Sequence, residues 1–208
     1  MMENNKEENE VVAAEALLAK TLGGWRGLID SSLPTVVFLL VFTFGGKQLN
    51  NAVIAAAAVA VLLAVVRAMT KQSLQQIVTG VVGVAFAAWF SSRTGKAEDF
   101  FLPGLFTNLA YATGIFLSIM IRYPVVGIVI GGLQGDFLGW REDPKKLRLY
   151  RMLSWWWVGM FLFRLAVQVP LYLAQQVELL GTVKLIMGWP LYLAVVWVTY
   201  RAVKTQSA

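Results

Sequence analysis

The feature that most constrains this chain is a series of six apolar runs, each near the length needed to cross a bilayer and separated by polar connections. The hydrocarbon core is about 30 Å thick and takes about 20 helical residues to span. The runs fall near 28–45, 52–66, 74–92, 100–121, 153–175 and 183–200. They are continuous rather than alternating. Only helices or closed barrels satisfy the backbone in hydrocarbon, so helices are expected throughout. Soluble domains carry about a quarter charged residues; here the share is 14%, against 58% hydrophobic. The expected fold is therefore an all-α integral membrane protein, a bundle of about six transmembrane helices. Most loops are short, which predicts three antiparallel hairpins occupying residues 23–204.

Orientation follows from the basic residues, which stay on the cytoplasmic side. With six spans, Lys20, Arg26, Arg67, Lys71, Arg122, Arg141, Lys145, Lys146, Arg148, Arg151, Arg201 and Lys204 share one face, against Lys47, Arg93, Lys96 and Lys184 on the other. Twelve against four predicts a multi-pass plasma-membrane protein with both termini cytoplasmic. Residues 1–22 read as an acidic, partly disordered cytoplasmic tail without the basic start of a secretory signal. Tyr123 to Trp140 is apolar enough to imitate another span, but a seventh crossing would carry Lys145 to Arg151 outside. It is expected to form a cytoplasmic elbow between helices 4 and 5, started by Pro124, and whether it dips into the membrane is left open. A long basic connection should then run to Met152. Lys145, Lys146, Arg148 and Arg151 are candidate contacts for anionic lipid headgroups, each contributing on the order of 1 kcal/mol. Trp25, Trp140 and Trp155 to Trp157 are placed in an interfacial aromatic belt.

The chain has neither cysteine nor histidine. That removes disulfides, thiolate nucleophiles, Cys/His metal sites and Ser-His-Asp catalysis. No paired carboxylates fall at spanning depth, so no catalytic residue, metal or cofactor is expected and the chain does not read as an enzyme. The short basic stretch against a membrane does not supply a nucleic-acid surface. Expected partners are the bilayer, its anionic headgroups, and membrane proteins or further copies of the chain.

Arg164 is the costliest residue to place. It lies midway along the fifth run, where insertion scales assign an arginine roughly 2.5–3.5 kcal/mol. Two readings stand side by side: a binding or conduction site for an anionic group, and an ion pair or carbonyl contact that locks the bundle. Asp30 is the first candidate partner and Asp136 the second. Gln168 shares the face of Arg164, four residues on. Pro170 frees the carbonyl of Ala166, and Pro190 that of Ile186, so either a broken-helix pocket or plain kinks could result. On the fourth run Thr107, Asn108 and Tyr111 form a polar strip. Arg164, Gln168, Asn108 and Asp30 make up the candidate intramembrane polar site. Ala56, Ala60 and Ala64, and Gly127 with Gly131, read as close-packing faces.

Several stretches carry a likeness in combination: LGGWRGLIDSSLPTVVF (Leu22 to Phe38), FFLPGLFTNLAY (Phe100 to Tyr111), RYPVVG (Arg122 to Gly127), FRLAVQVPLYL (Phe163 to Leu173) and GWPLY (Gly188 to Tyr192). In these the chain resembles the actinobacterial membrane family described as domain of unknown function 3159. The resemblance covers nearly everything after Leu22. It implies a bacterial plasma-membrane protein and supplies no catalytic or binding residues. The hairpin plan is more distantly similar to the intracellular septation protein A family, through the opening at Leu33 to Phe38, Arg122 with Pro124, and a terminal hairpin. That similarity implies a role in division or envelope upkeep. The alternative reading is a small-solute transporter or channel built on the site around Arg164.

Overall fold

A computed structural model of the chain describes residues 24–69, 74–133, 135 and 138–207, with side chains described over 32–69, 80–133, 135 and 138–204. The described residues form helices and turns, with no strand among them. The chain divides into two compact units, Met1–Gly95 and Lys96–Ala208.

The first unit holds α1 (Gly24–Phe44), α2 (Leu49–Met69) and α3 (Leu74–Thr94), with α2 packed on both neighbours. Ala52, Ala56 and Ala60 are buried along one face of α2, one per turn, so the small-residue face begins a turn earlier than expected. Ala64 is only partly covered. Phe38 and Phe42 stack at 5.9 Å and fill the interior of this unit from α1. The outward faces stay apolar, with Ile54 66%, Leu62 62% and Met69 78% exposed. Surfaces of that composition are stable in lipid and costly in water.

The second unit opens with a short 3-10 turn, Ala97–Phe101, which runs into α4 (Leu102–Met120). Helix α4 ends in a left-handed cap at Arg122, where Tyr123 N–H donates to the Ser118 carbonyl at 2.8 Å and Arg122 N–H to that of Ile119 at 3.1 Å. These bonds satisfy carbonyls that a helix end leaves open. Pro124 then starts α5 (Val125–Leu133). Serine hydroxyls stand in for a cap there: Val125 N–H donates to Ser118 Oγ and Val126 N–H to Ser154 Oγ. Nine residues of helix reach only about 14 Å, so α5 is too short to cross. Its buried Gly127 lies flat against the Trp140 ring.

Helix α6 (Pro144–Leu173) is 30 residues long and begins well before the expected span. Asp143 caps it, its Oδ1 accepting from Lys145 N–H at 2.8 Å, and Pro144 occupies the first turn. The basic residues placed in a connection therefore sit on the first turns of a helix, because the Asp-Pro pair is itself a start signal. After a left-handed turn at Gln175 come α7 (Val177–Ile186) and, beyond a break at Met187 and Gly188, α8 (Trp189–Ser207). Pro170 lies inside a continuous helix, whereas Pro190 stands in the first turn of a new one. A missing N–H costs nothing there.

Among the described residues, Leu49–Met69, Ala97–Met120, Pro144–Leu173 and Val177–Lys204 are long and apolar enough to cross a membrane, and Ser32–Phe44 is a shorter apolar stretch. The protein is thus an α-helical chain with several candidate membrane spans.

Candidate functional site

The polar site sits in the second unit, and its geometry follows from how α4 and α8 pair with α6. Phe116 meets Trp155 at 5.8 Å, Tyr111 stacks on Phe161 at 5.3 Å, and the Tyr172 hydroxyl donates to Asp99 Oδ1 at 2.6 Å. These contacts define one antiparallel register, which brings Asn108 level with Arg164 and Gly104 level with Gln168. On the opposite flank Trp157 Nε1 donates to Thr199 Oγ1 at 3.3 Å, and Phe161 meets Tyr192 at 5.9 Å. Continuing that register places the break at Gly188 level with Gln168.

Arg164, Gln168 and Asn108 all point inward, at 7%, 1% and 5% exposure. The rest of the polar strip does not join them. Thr107 is exposed and donates to the Pro103 carbonyl of its own helix at 2.8 Å, while Tyr111 is 54% exposed. Adjacent helical positions are turned about 100° apart, so neighbours in sequence cannot share a face. The side chain of Asp30 and all of Asp136, the expected partners of Arg164, lie outside the described residues. What faces Arg164 is an aromatic ring: its guanidinium lies 5.1 Å from the Tyr192 centroid. Its Nε and Nη1, and Nε2 of Gln168, are buried without an acceptor.

Lys184 joins this cluster, although the residue count had set it among the flanks of the outer face. Its ammonium lies 5.0 Å from the Phe101 ring centroid and within electrostatic reach of Arg164. Space for it comes from Gly104, where a Cβ would stand 3.0 Å from Lys184 Nζ. The sequence signal was present in the Gly-Trp-Pro triplet at 188–190, which breaks the helix just beyond Lys184 and turns a supposed flank into a half-helix end. Chemically the site is a set of donors and two cations. Tyr192 is the charged or polar group acting on Arg164, and Arg164 the one acting on Lys184, so no described carboxylate neutralises them.

The basic stretch lies farther along α6. Lys145, Lys146 and Arg148 are exposed and Arg151 is half-buried. Arg148 and Arg151 stand at one end of an open groove of about 780 Å³ between α6 and α8, whose walls include Trp155, Trp156, Phe163 and Val198. Trp155 and Trp156 are 44% and 57% exposed, as a belt would have them, but Trp140 is 2% exposed. It is a core side chain, held between Gly127 and Tyr150.

No curated protein and no solved structure matches the chain. A family model described as a protein of unknown function (DUF3159) matches residues 22–208, nearly the whole chain, and the chain belongs to that family.

Proposed function

We propose that this is a non-catalytic, multi-pass plasma-membrane protein that works through anionic lipid and membrane-protein partners in envelope upkeep. In this reading six spans form three hairpins, the termini and the elbow are cytoplasmic, and the chain assembles with other membrane proteins or with itself. The observation that carries it is the start of α6, where Arg148 and Arg151 lead directly into the apolar groove along α8. A phospholipid has that same polarity, with a phosphate at one end and hydrocarbon behind it. Guanidinium groups bind phosphate in shape and charge, and basic side chains at a cytoplasmic interface attract anionic headgroups. The half-buried Arg151 also keeps its Nε without a partner, a donor that a headgroup oxygen satisfies. An envelope role draws on the likeness to the septation protein family. A transporter or channel needs a water-filled path that crosses the whole bundle past Arg164, and the burial of Arg164, Gln168 and Asn108 does not favour one.

The test is mass spectrometry of the lipids that stay with the protein purified in a mild neutral detergent. Anionic phospholipid should be enriched over the parent membrane, and the combined Arg148→Gln and Arg151→Gln variant should fall to the bulk ratio. A bulk ratio in the unaltered protein refutes the reading.

A further inference from the structure

We propose that the interior of the second unit holds one oxyanion group, a carboxylate or a phosphate, between Arg164, Lys184 and Gln168. Three observations converge on it. Arg164 Nε and Nη1 and Gln168 Nε2 are buried donors with nothing to donate to. Each such orphan costs about 1–3 kcal/mol, more when the group is charged. Two positive charges also lie within electrostatic reach of one another, with no described carboxylate acting on either. Like charges repel more strongly in a poorly polarisable interior than in water. The faces of Tyr192 and Phe101 offset this only in part, since cation–π contacts contribute about 0.5–2 kcal/mol. Finally, the cluster lies beside the break at Met187 and Gly188, where the opening N–H groups of α8 have no carbonyl of their own helix to bond.

An oxyanion answers all three features at once. It brings negative charge between the cations, and its several oxygens accept from donors on different side chains. Gly104 keeps open the space that the Lys184 ammonium occupies. This site is distinct from the basic mouth of the lipid groove, because Arg164 stands thirteen residues beyond Arg151, about 20 Å along α6, and it points inward while its neighbour Phe163 lines the groove. It therefore stands or falls independently of the proposed function. The oxyanion can come from a dissolved solute or from a lipid headgroup that reaches inward, and the two sources are separable.

The experiment follows thermal unfolding of the full chain in neutral detergent while inorganic phosphate or acetate is titrated at constant ionic strength. A parallel series adds phosphatidylglycerol or phosphatidylcholine to the micelles. A ligand that binds only the folded state raises the midpoint in a saturable way. The expected result is a saturable rise of several degrees that Lys184→Gln abolishes and Arg93→Gln, an equal charge change on α3, leaves intact. Gly104→Ala should weaken it without changing any charge, since the new methyl group displaces the ammonium. A rise with phosphate or acetate supports the site with a dissolved source. A rise with phosphatidylglycerol alone, still dependent on Lys184, supports it with a headgroup source. No saturable rise with any of these probes, or an equal rise in Lys184→Gln, overturns the proposal. Lys184 is half-buried on a short helix, so its variant carries the test even where Arg164→Gln does not fold.

Discussion

Replacing Gly127 by alanine tests the packing of the elbow at a single methyl group. A Cβ built at Gly127 lies 2.8, 2.9 and 3.0 Å from Trp140 Cη2, Cζ2 and Cζ3. Carbon atoms settle at about 3.5–4.0 Å, so the ring or α5 must move by about 0.7 Å or more. The ring cannot retreat freely, since Trp140 is 2% exposed and meets Tyr150 edge-on at 5.5 Å. Overpacking of this kind costs about 1–3 kcal/mol. Alanine recovers about 1 kcal/mol over glycine inside a helix. The net loss should be about 0–2 kcal/mol, and at about 2–4 °C per kcal/mol for a chain of this size the midpoint should fall by up to about 8 °C. A Trp140→Leu background separates the two effects. With the ring gone the clash disappears, and Gly127→Ala should become neutral or stabilising by up to about 1 kcal/mol. Thermal melts followed by far-UV circular dichroism in mild detergent read all four proteins of the cycle. Equal effects of Gly127→Ala in both backgrounds would refute the contact, because the coupling between the two sites would then be zero.

Three further outcomes follow from single contacts. Tyr172→Phe removes the 2.6 Å bond to Asp99, which is 3% exposed. It should cost about 1.5–3 kcal/mol, the range for bonds to charged groups, measured as a lower unfolding midpoint. Arg164→Met should leave the midpoint in phosphate-free, lipid-depleted detergent unchanged or raised, because it exchanges an uncompensated buried cation for an apolar chain of similar length; a fall beyond about 2 kcal/mol would show that Arg164 is held by a stronger partner than the Tyr192 ring. Asp143→Ala should cost about 1 kcal/mol through the lost cap of α6, whereas Asp143→Asn should be close to neutral in the same melt.

Much of the fold was legible because lipid imposes a one-dimensional rule: enough apolar residues in a row make a span. Apolar runs marked α2, α4 and α6, and Pro124 marked the start of α5. Facing was harder to read. Trp140 was assigned by its depth, yet whether a tryptophan looks outward depends on what lies opposite, and opposite lies Gly127. The start of α6 was read as a loop because its charges outweighed the Asp143–Pro144 signal, although charged first turns are ordinary on a helix that emerges from lipid. Helical spacing put Arg164 and Gln168 on one face and Asn108 in a polar strip with Thr107 and Tyr111, but only the register of α4 against α6 shows that Asn108 alone of that strip turns toward Arg164. Lys184 was missed, because a count of flanking charges cannot tell an interface from the end of a broken helix.

The central claim is that the helix from Ala97 to Met120 crosses a membrane, with the basic start of α6 on the cytoplasmic face. The chain has no cysteine of its own, so Lys96→Cys and Lys145→Cys each place one thiol on an otherwise unreactive background, both at exposed positions. The decisive measurement is labelling of each variant with a membrane-impermeant maleimide, in intact cells and after permeabilisation. Labelling of Lys96→Cys in intact cells, and of Lys145→Cys only after permeabilisation, is the expected result. Labelling of both from the same side would contradict the crossing, and the reverse pattern would contradict the orientation.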